Sequence, residues 1–374
     1  MNYGITEEQT MIKDAAHKFL AKECPAEFVR AMVDDERGYT DKIWQGMAEL
    51  GWMSLLIPEE YDGFGGNFLD LMVLLSEMGY FALPGPFFSS VVLGGLTVME
   101  AGDADQKQAI LPGLAMGERI LTLAWTEMDG LFTPEAIRLS AALQGEEYVL
   151  TGAKLFVPDA HVADTIITAA RTGPGETDVS LFLVEAGSPG LTLTALTTMA
   201  GDKQFEVVYD GVKAPKSALL GELNQGWAVL RKVQLMAAVA KCAEMMGGAQ
   251  KAMDLTIPWT KERVQFGRLI GSFQAIQHHL ANMLTFKDTL TYMTYQASWR
   301  IAAGLPFEKE ASMCKAWVSD SYRQAVAIGH QVLGGLGFMK EHDMGLYYKR
   351  AREAEMFFGD ADFHRELVAR ELGL

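Results

Sequence analysis

The chain has 374 residues, of which 49% are hydrophobic and 21% are charged. This apolar content can form a large buried core, which excludes intrinsic disorder as the main state and indicates two or three domains of about 100–200 residues each. Because 48 Asp and Glu outnumber 32 Lys and Arg, the formal net charge is −16. A chain this acidic lacks the basic face that binding to the backbone of a nucleic acid requires, and we expect no nucleic-acid partner.

The cysteines and the first residues of the chain indicate a reducing compartment. The cysteines are odd in number and widely spaced, namely Cys24, Cys242 and Cys314. Such a pattern forms no disulfide framework. Acidic residues lie where a secretory signal would need a basic flank and then an apolar run: Glu7, Glu8 and Asp14. We therefore expect a cytoplasmic protein.

The longest uncharged stretch, residues 78–99, is long enough to span a bilayer. Pro84, Pro86, Gly94 and Gly95 interrupt it, however, and prolines and glycines disfavour a continuous helix. The composition of this stretch predicts a buried, irregular segment and no membrane span.

The first third of the chain has the periodicity of helices. Thr6 and Gln9 form a capping box before the first helix, and Thr40 caps a second helix that Gly51 ends. A third helical run covers residues 68–78, after a glycine-rich loop. These patterns predict a helical N-terminal domain over residues 1–118.

From about residue 120 the apolar residues recur at every second position, which is typical of strands. The predicted strands cover residues 120–125, 137–143, 148–150, 165–170, 179–184 and 205–207. They define a small middle domain over residues 119–222. Helical runs then return over residues 227–256, 261–303 and 307–333 and predict a helical C-terminal domain, residues 223–374. The predicted fold class is α+β.

Several common site types are absent from the sequence. The run Gly334-Gly335-Leu336-Gly337 follows a helical stretch, whereas a dinucleotide-binding loop follows a strand, so we interpret it as a helix C-terminal turn. There is no His-x-x-x-His or Cys-x-x-Cys spacing, which argues against a metal site. There is also no Gly-x-Ser-x-Gly elbow, which argues against a hydrolase.

A more specific signal comes from motifs that occur in a fixed order along the chain. The C-terminal motifs are Arg263-Val264-Gln265-Phe266-Gly267, then Phe273-Gln274, then Gln331-Val332-Leu333-Gly334-Gly335-Leu336-Gly337-Phe338. The earlier ones are Ile57-Pro58-Glu59-Glu60-Tyr61-Asp62-Gly63, Thr126-Glu127, Gly152 with Lys154, and Leu220-Gly221. In this order they resemble the acyl-CoA dehydrogenase family of flavoproteins, over essentially the whole chain.

The resemblance implies a helical N-terminal domain, a middle β-barrel domain and a C-terminal four-helix bundle that together bind FAD. Enzymes of this kind oxidise the Cα–Cβ bond of a CoA thioester. A carboxylate removes the α proton while a hydride leaves the β carbon for the flavin. The resemblance further implies an acyl-CoA substrate and an electron-transfer flavoprotein as the electron acceptor.

The resemblance also implies a dimer in which the two subunits share each cofactor site. One half of that site is intact in this sequence. The resemblance assigns contacts with the FAD pyrophosphate and adenosine of the neighbouring subunit to seven residues: Arg263, Gln265, Phe266, Gln274, Gln331, Gly334 and Gly335. A guanidinium and closely approaching glycine backbone suit a diphosphate. Thr126 is the candidate contact within the same subunit.

The half that meets the flavin ring and the substrate departs from the family pattern. Where the family reads Thr-Glu-Pro-x-x-Gly-Ser-Asp, only Thr126-Glu127 remains, and the family's Trp-x-Thr is Phe156-Val157-Pro158. The catalytic Tyr-Glu-Gly-Thr segment aligns with Phe357-Phe358-Gly359-Asp360, which places Phe358 at the position of the base. The alternative base position of some relatives falls at about Ala237.

The nearest surviving acid is Asp360, two residues beyond the expected base. Asp360 is the candidate catalytic residue if the loop is remodelled, and a helix cap if it is not. Glu244 and Asp254 lie further along the first C-terminal helix, where we expect a solvated face.

One hypothesis accounts for both halves: the chain is the subunit without a base in a heteromeric acyl-CoA dehydrogenase, such as a heterotetramer with a paralogous subunit. The alternatives are a self-sufficient homo-oligomer that uses Asp360 and a structural partner without FAD. Two further alternatives have little support. A nitroalkane-oxidase-like enzyme would need an Asp at position 358, and a DNA-associated relative would need a basic face.

Overall fold

The structure is a computed structural model that describes residues 4–374. Its α-helices are α1 (Glu7–Glu23), α2 (Ala26–Asp34), α3 (Asp41–Glu49), α4 (Phe68–Tyr80), α5 (Leu96–Ala101), α6 (Ala104–Ala115), α7 (Gly226–Glu262), α8 (Gln274–Ala302), α9 (Glu308–Leu333), α10 (Met344–Met356) and α11 (Ala361–Glu371). A π-helical segment, Phe88–Gly95, precedes α5.

The strands lie between α6 and α8. They are β1 (Leu121–Ala124), β2 (Ser140–Gln144), β3 (Glu147–Pro158), β4 (Thr165–Arg171), β5 (Val179–Glu185), β6 (Leu191–Leu196), β7 (Gln204–Pro215), β8 (Leu219–Leu220), β9 (Val264–Gln265) and β10 (Arg268–Leu269). The first eight form one sheet in the order β6-β7-β3-β2-β4-β5-β8, with β1 paired to β4 in parallel. The last two form a separate hairpin. The α+β class is therefore confirmed.

The chain divides into two compact units that each combine distant parts of the sequence. Among the described residues, the first, the helical unit, comprises residues 4–31, 67–83 and 235–374, and the second, the sheet unit, comprises residues 32–66 and 84–234.

In the helical unit, α4 and α7 approach each other closely at two glycines. A Cβ at Gly79 would lie 1.9 Å from the Glu244 carbonyl oxygen, and a Cβ at Gly247 would lie 1.8 Å from the Ser76 carbonyl oxygen. Both distances are far below van der Waals contact, so a side chain at either position would push the helices apart.

In the sheet unit, β3 and β7 form the longest antiparallel pair, which has irregular register after Leu150 and after Lys154. Strand β4 is buried along nearly its whole length. It lies between β5 and the parallel neighbour β1, which explains its continuous apolar sequence.

Several predicted features are confirmed. Thr6 and Gln9 form the reciprocal capping box of α1, Thr40 caps α3, and Gly51 follows its end at φ +74°. Each predicted strand is present, although β3 and β7 extend to Pro158 and Pro215, well beyond the predicted residues 148–150 and 205–207. Helix α2 and strand β6 were not predicted, although the alternating Leu and Thr of β6 are typical of a strand.

The structure corrects the prediction of one helix over residues 261–303. A hairpin separates α7 from α8, because Phe266 and Gly267 both have positive φ (52° and 79°) and form a tight turn.

The structure also corrects part of the prediction for residues 78–99. The segment is largely buried and is irregular over residues 81–86, as expected, but from Phe88 onward it is helical, first as a π-helix and then as α5. Gly94 allows it to pack against β1, because a Cβ there would lie 2.3 Å from the Leu121 Cβ. Hydrogen bonds satisfy both of its buried serines, Ser89 and Ser90. Within residues 4–374, none of the helices has the length and apolar character needed to cross a membrane.

The close approach at Gly247 gives a test of the helical unit. We expect Gly247→Ala to lower the free energy of unfolding by about 1–3 kcal/mol, because the added methyl group has no space beside the Ser76 carbonyl. Gly345→Ala in α10 is the matched control, since no atom lies within 4 Å of its added Cβ, and we expect it to be neutral or stabilising by up to about 1 kcal/mol. Urea denaturation measures both, and equal effects would contradict the packing explanation.

Candidate cofactor and catalytic site

In the sheet unit, the candidate site residues include an ion pair between Glu127 and Lys154. The Lys154 ammonium is fully buried and lies 2.6 Å from Glu127 Oε1 and 3.2 Å from the Trp125 carbonyl oxygen. The same Glu127 oxygen accepts hydrogen bonds from the backbone N–H groups of Arg138 and Leu139. Burial lowers the pKa of Lys154 to about 8, against the opposing effect of Glu127. Glu127 is therefore held as a structural counter-ion.

The loop after Thr126 presents apolar side chains to solvent. Thr126 is half-buried, and its carbonyl accepts a hydrogen bond from Leu155 N–H at 2.9 Å. Met128 is 87% exposed and Leu131 is 59% exposed. In the family pattern these two positions are Pro and Gly, whereas the family's Ser aligns with Phe132, so this loop lacks that serine hydroxyl as a donor to a flavin.

The family's second flavin motif is changed in the same way. Phe156 has φ +56° and is half exposed, and Val157 is buried. The carbonyl of Pro158 accepts a hydrogen bond from Thr122 Oγ1 at 2.5 Å. Proline has no hydroxyl and no N–H, so it cannot replace the threonine donor of the family.

In the helical unit, the hairpin between α7 and α8 carries three of the predicted cofactor residues. Arg263, Gln265 and Phe266 are all exposed, and Phe266 is 93% exposed. The exposed apolar side chains of Val264 and Leu269 flank them. Gln274 follows as the first residue of α8 and is also exposed.

The remaining predicted cofactor residues lie at the end of α9. Gln331, Gly334 and Gly335 are exposed, and neither glycine has another atom within 4 Å of the place of a Cβ. Gly334 ends α9 with φ +62°, which confirms the predicted helix C-terminal turn.

The geometry of α8 and α9 brings these two groups to one end of the helical unit. The helices are antiparallel: Trp317 Nε1 donates to Thr289 Oγ1 at 3.0 Å, and Cys314, earlier in α9, contacts Thr294, later in α8, at 3.7 Å. Gln274 precedes Thr289 by about 15 residues in α8, and Gln331 follows Trp317 by about 15 residues in α9. Because both helices rise equally per residue, the two glutamines lie at the same level along the pair. An exposed guanidinium, amides and open glycine backbone thus share one end, and this set fits a diphosphate.

Phe358 occupies the position that the sequence assigns to the base. It is 4% exposed and has a left-handed backbone with φ +63°. Its carbonyl lies 3.1 Å from His364 Nε2. The next residue, Gly359, has φ +104°, and a Cβ there would lie 2.2 Å from the Phe363 ring.

Asp360 serves as the N-cap of α11. Its carboxylate accepts a hydrogen bond from Phe363 N–H at 2.8 Å. The alternative base position, Ala237, is fully buried and apolar. Further along α7, Glu244 pairs with Lys241 at 2.5 Å, and Asp254 accepts a hydrogen bond from Tyr80.

The sequence analysis missed two buried groups beside this loop, Lys315 and His364. The Lys315 ammonium donates to Ser319 Oγ, the Glu355 carbonyl and the Gly359 carbonyl, each at 3.0 Å. Burial lowers the pKa of Lys315 to about 8 and that of His364 to about 3. A lysine among the apolar residues of the inner face of α9, next to Cys314 and Val318, was the signal in the sequence.

Between residues 4 and 374, no group of three His, Cys, Asp or Glu side chains is arranged to hold a metal ion.

Comparison with known proteins identifies the family. The chain belongs to the acyl-CoA dehydrogenase family: the family models for the N-terminal, middle and C-terminal domains of acyl-CoA dehydrogenases match residues 6–118, 122–212 and 224–373. Its members are oxidoreductases that act on the CH–CH bond of acyl-CoA. The predicted family and fold are therefore confirmed.

Three relatives illustrate the similarity. Acryloyl-CoA reductase (NADH) of Anaerotignum propionicum is 30% identical over 100% of this chain and 96% of its own length. A chain in the structure of the electron transferring flavoprotein of Acidaminococcus fermentans has 27% identity and TM-score 0.93, covering 100% of this chain and 99% of its own. A chain of the ChsE4-ChsE5 complex from Mycobacterium tuberculosis has 26% identity and TM-score 0.91, with the same coverages.

The ion pair gives a test within the sheet unit. Glu127→Gln leaves the buried Lys154 ammonium without a counter-charge, and we expect the free energy of unfolding to fall by about 3 kcal/mol at pH 7. The difference in unfolding free energy between this variant and the wild type narrows above about pH 8, where Lys154 itself loses its proton. Asp129→Asn, which breaks the exposed pair with Arg138, is the control and changes stability by less than about 0.5 kcal/mol. Equal losses in urea titrations would contradict a structural role for Glu127.

The depressed pKa of His364 gives a test in acid. Below about pH 6.5 the unfolded chain binds a proton at this histidine, whereas the folded chain resists it down to about pH 3. The contribution of the neutral His364 to the free energy of unfolding is therefore fully present above about pH 6.5 and is lost progressively as the pH falls. We expect His364→Gln to reduce the stability lost between pH 7 and 4.5 by roughly 2–3 kcal/mol, as measured by urea denaturation. His278→Gln, at an exposed position in α8, is the control, and an unchanged acid response in His364→Gln would refute the assignment.

Proposed function

We propose that this chain is the subunit without a catalytic base in a heteromeric acyl-CoA dehydrogenase, and that it donates diphosphate contacts to FAD held by a paralogous subunit. The observation that carries the proposal is the contrast between its two sets of site residues. Phe358 is a buried benzyl group at the base position, whereas the seven diphosphate-binding candidates are all exposed.

The acids near the base position support this assignment. General-base catalysis requires a carboxylate within hydrogen-bond reach of the substrate proton. Asp360 already accepts the Phe363 N–H as a helix cap, which is a structural use of that carboxylate. Position 237 is an alanine, and no carboxylate replaces it there.

The exposed hairpin supports a partner subunit. Val264, Phe266 and Leu269 present apolar side chains on a two-stranded hairpin. Contiguous exposed apolar groups of this kind mark interaction surfaces, and aromatic residues are enriched at interface cores. Arg263 and Gln265 on the same hairpin would then bind the phosphates of the cofactor on the partner.

The division of labour follows from these residues. FAD in this family accepts the hydride that leaves the β carbon of the thioester. In the proposed enzyme, the carboxylate that takes the α proton belongs to the paralogous subunit. This chain contributes the Arg263 guanidinium, the amides of Gln265, Gln274 and Gln331, and the open backbone at Gly334 and Gly335. Its own Glu127 stays paired with Lys154.

The similar proteins are consistent with the partners we propose. One similar chain belongs to the ChsE4-ChsE5 complex and another to the structure of an electron transferring flavoprotein, which we propose as the electron acceptor here. Another relative is named as an acryloyl-CoA reductase, so assays should follow the Cα–Cβ bond of the thioester in both directions.

The assembly is tested by purifying the tagged chain from its native host. We expect a paralogous subunit to copurify, and flavin absorbance to be present in the complex and absent from the chain expressed alone. Native mass spectrometry and flavin stoichiometry measure both. A chain that binds one FAD by itself and oxidises an acyl-CoA, with activity abolished by Asp360→Asn, would establish the homo-oligomer instead. A complex without flavin would favour a purely structural role.

The donated contacts are tested in the same complex. We expect Arg263→Ala to weaken FAD binding by about 10–100-fold, because a charge-assisted hydrogen bond to phosphate is lost. Arg370→Ala removes an exposed guanidinium at the end of α11 and should leave FAD binding unchanged. The dissociation constant follows from flavin fluorescence, and equal affinities in both variants would exclude the donated contact.

A further inference from the structure

The backbone at position 358 is held in a conformation that a phenylalanine does not choose. Phe358 has φ +63°, and a left-handed backbone is strained for any residue with a Cβ. Such strain persists only where the surroundings fix the backbone from several sides. At this position the surroundings are two buried donors, on α9 and α11.

The first donor is the Lys315 ammonium. It is fully buried, and two of its three hydrogen bonds go to the Glu355 and Gly359 carbonyls, on either side of position 358. The third goes to Ser319 Oγ in the next turn of α9. All three N–H groups are used, which is the condition for burying an ammonium.

The second donor is the His364 imidazole, on α11. Its Nε2 lies 3.1 Å from the Phe358 carbonyl oxygen, which can only accept, so Nε2 carries the proton. Within residues 4–374, Nδ1 has no hydrogen-bond partner and is buried. His364 is therefore neutral and present as the Nε2–H tautomer.

We propose that Lys315 and His364 are positioning residues that together fix the backbone at position 358, so that the side chain carried there has one orientation. Both act on main-chain carbonyls and neither depends on the identity of that side chain. This inference rests on the proposed function, because only that proposal makes position 358 the place of the base. In that case the subunit has lost the carboxylate but keeps the hydrogen bonds that would orient a carboxylate there.

The first experiment compares two replacements of His364 in the assembled full-length protein. His364→Gln keeps an N–H donor for the Phe358 carbonyl, and His364→Leu removes it at similar volume. The readout is amide hydrogen exchange of residues 357–361 relative to α7. We expect His364→Leu to speed local exchange by about 10-fold or more, as loss of one buried hydrogen bond predicts, and His364→Gln to restore protection. Equal exchange in the two variants would overturn the role of His364.

The second experiment is a double-mutant cycle with Lys315→Met and Phe358→Gly. Glycine adopts positive φ without strain, so Lys315 has less to hold in the Phe358→Gly background. The factor by which Lys315→Met raises the unfolding equilibrium constant should therefore be at least about 3-fold smaller in that background than in the wild type. Asp62→Gly relieves another residue at φ +63°, in the sheet unit, and its effect should simply add to that of Lys315→Met. Additive effects in both cycles would show that Lys315 does not support position 358.

A spectroscopic measurement keeps the proposal testable if Phe358→Gly fails to fold. The ¹⁵N spectrum of the wild-type His364 ring should show the neutral Nε2–H tautomer at pH 7 and at pH 5. The Nδ1–H tautomer would overturn the proposed hydrogen bond, because Nε2 would then have no proton to donate to the Phe358 carbonyl. None of these readouts uses FAD or a partner's activity, so they fail or succeed independently of the proposed function.

Discussion

The buried ammonium of Lys315 is the constraint on which the candidate catalytic region depends. A charge without solvent must have all its donors satisfied, and here the carbonyls of Glu355, in the last turn of α10, and of Gly359, just after that helix, accept from the ammonium. Because those carbonyls are fixed, position 358 has a left-handed backbone and Asp360 begins α11 as its cap. Under the proposed function, this arrangement commits the Asp360 carboxylate to capping α11 and leaves position 358 with a fixed backbone and no carboxylate.

The sheet unit uses the same principle with a different result. Lys154 is also fully buried, but its main partner is the Glu127 carboxylate. Glu127 simultaneously accepts two backbone N–H groups, which fixes the start of the loop that follows Thr126. In both units a buried lysine determines a loop, and in the sheet unit it does so by occupying a carboxylate that could otherwise face a ligand.

The proposed role combines a retained set of binding residues with a missing base, and the surfaces of the helical unit are consistent with both. Residues that act on a neighbouring subunit must be exposed in the single chain, and those of the hairpin and of the end of α9 are. Residues that act on the chain's own substrate must combine burial with chemical function. At position 358 burial is retained but the carboxylate is not. These two groups of residues are under different constraints, so one can be lost while the other is kept.

The sequence by itself determined the α+β class, the helix caps at Thr6 and Thr40 and the turn at Gly334, because local hydrogen bonds and periodicity produce these features. The family was indicated separately, by the resemblance of its ordered motifs. That resemblance also indicated that Phe358 replaces the base. Only the tertiary structure decided that the segment after Pro86 is π-helical, that Asp360 is committed as a cap, and that Lys315 and His364 bind the carbonyls around Phe358. The contacts of Lys315 join residues up to 44 positions apart in the chain, and sequence patterns carry little information about which distant groups meet.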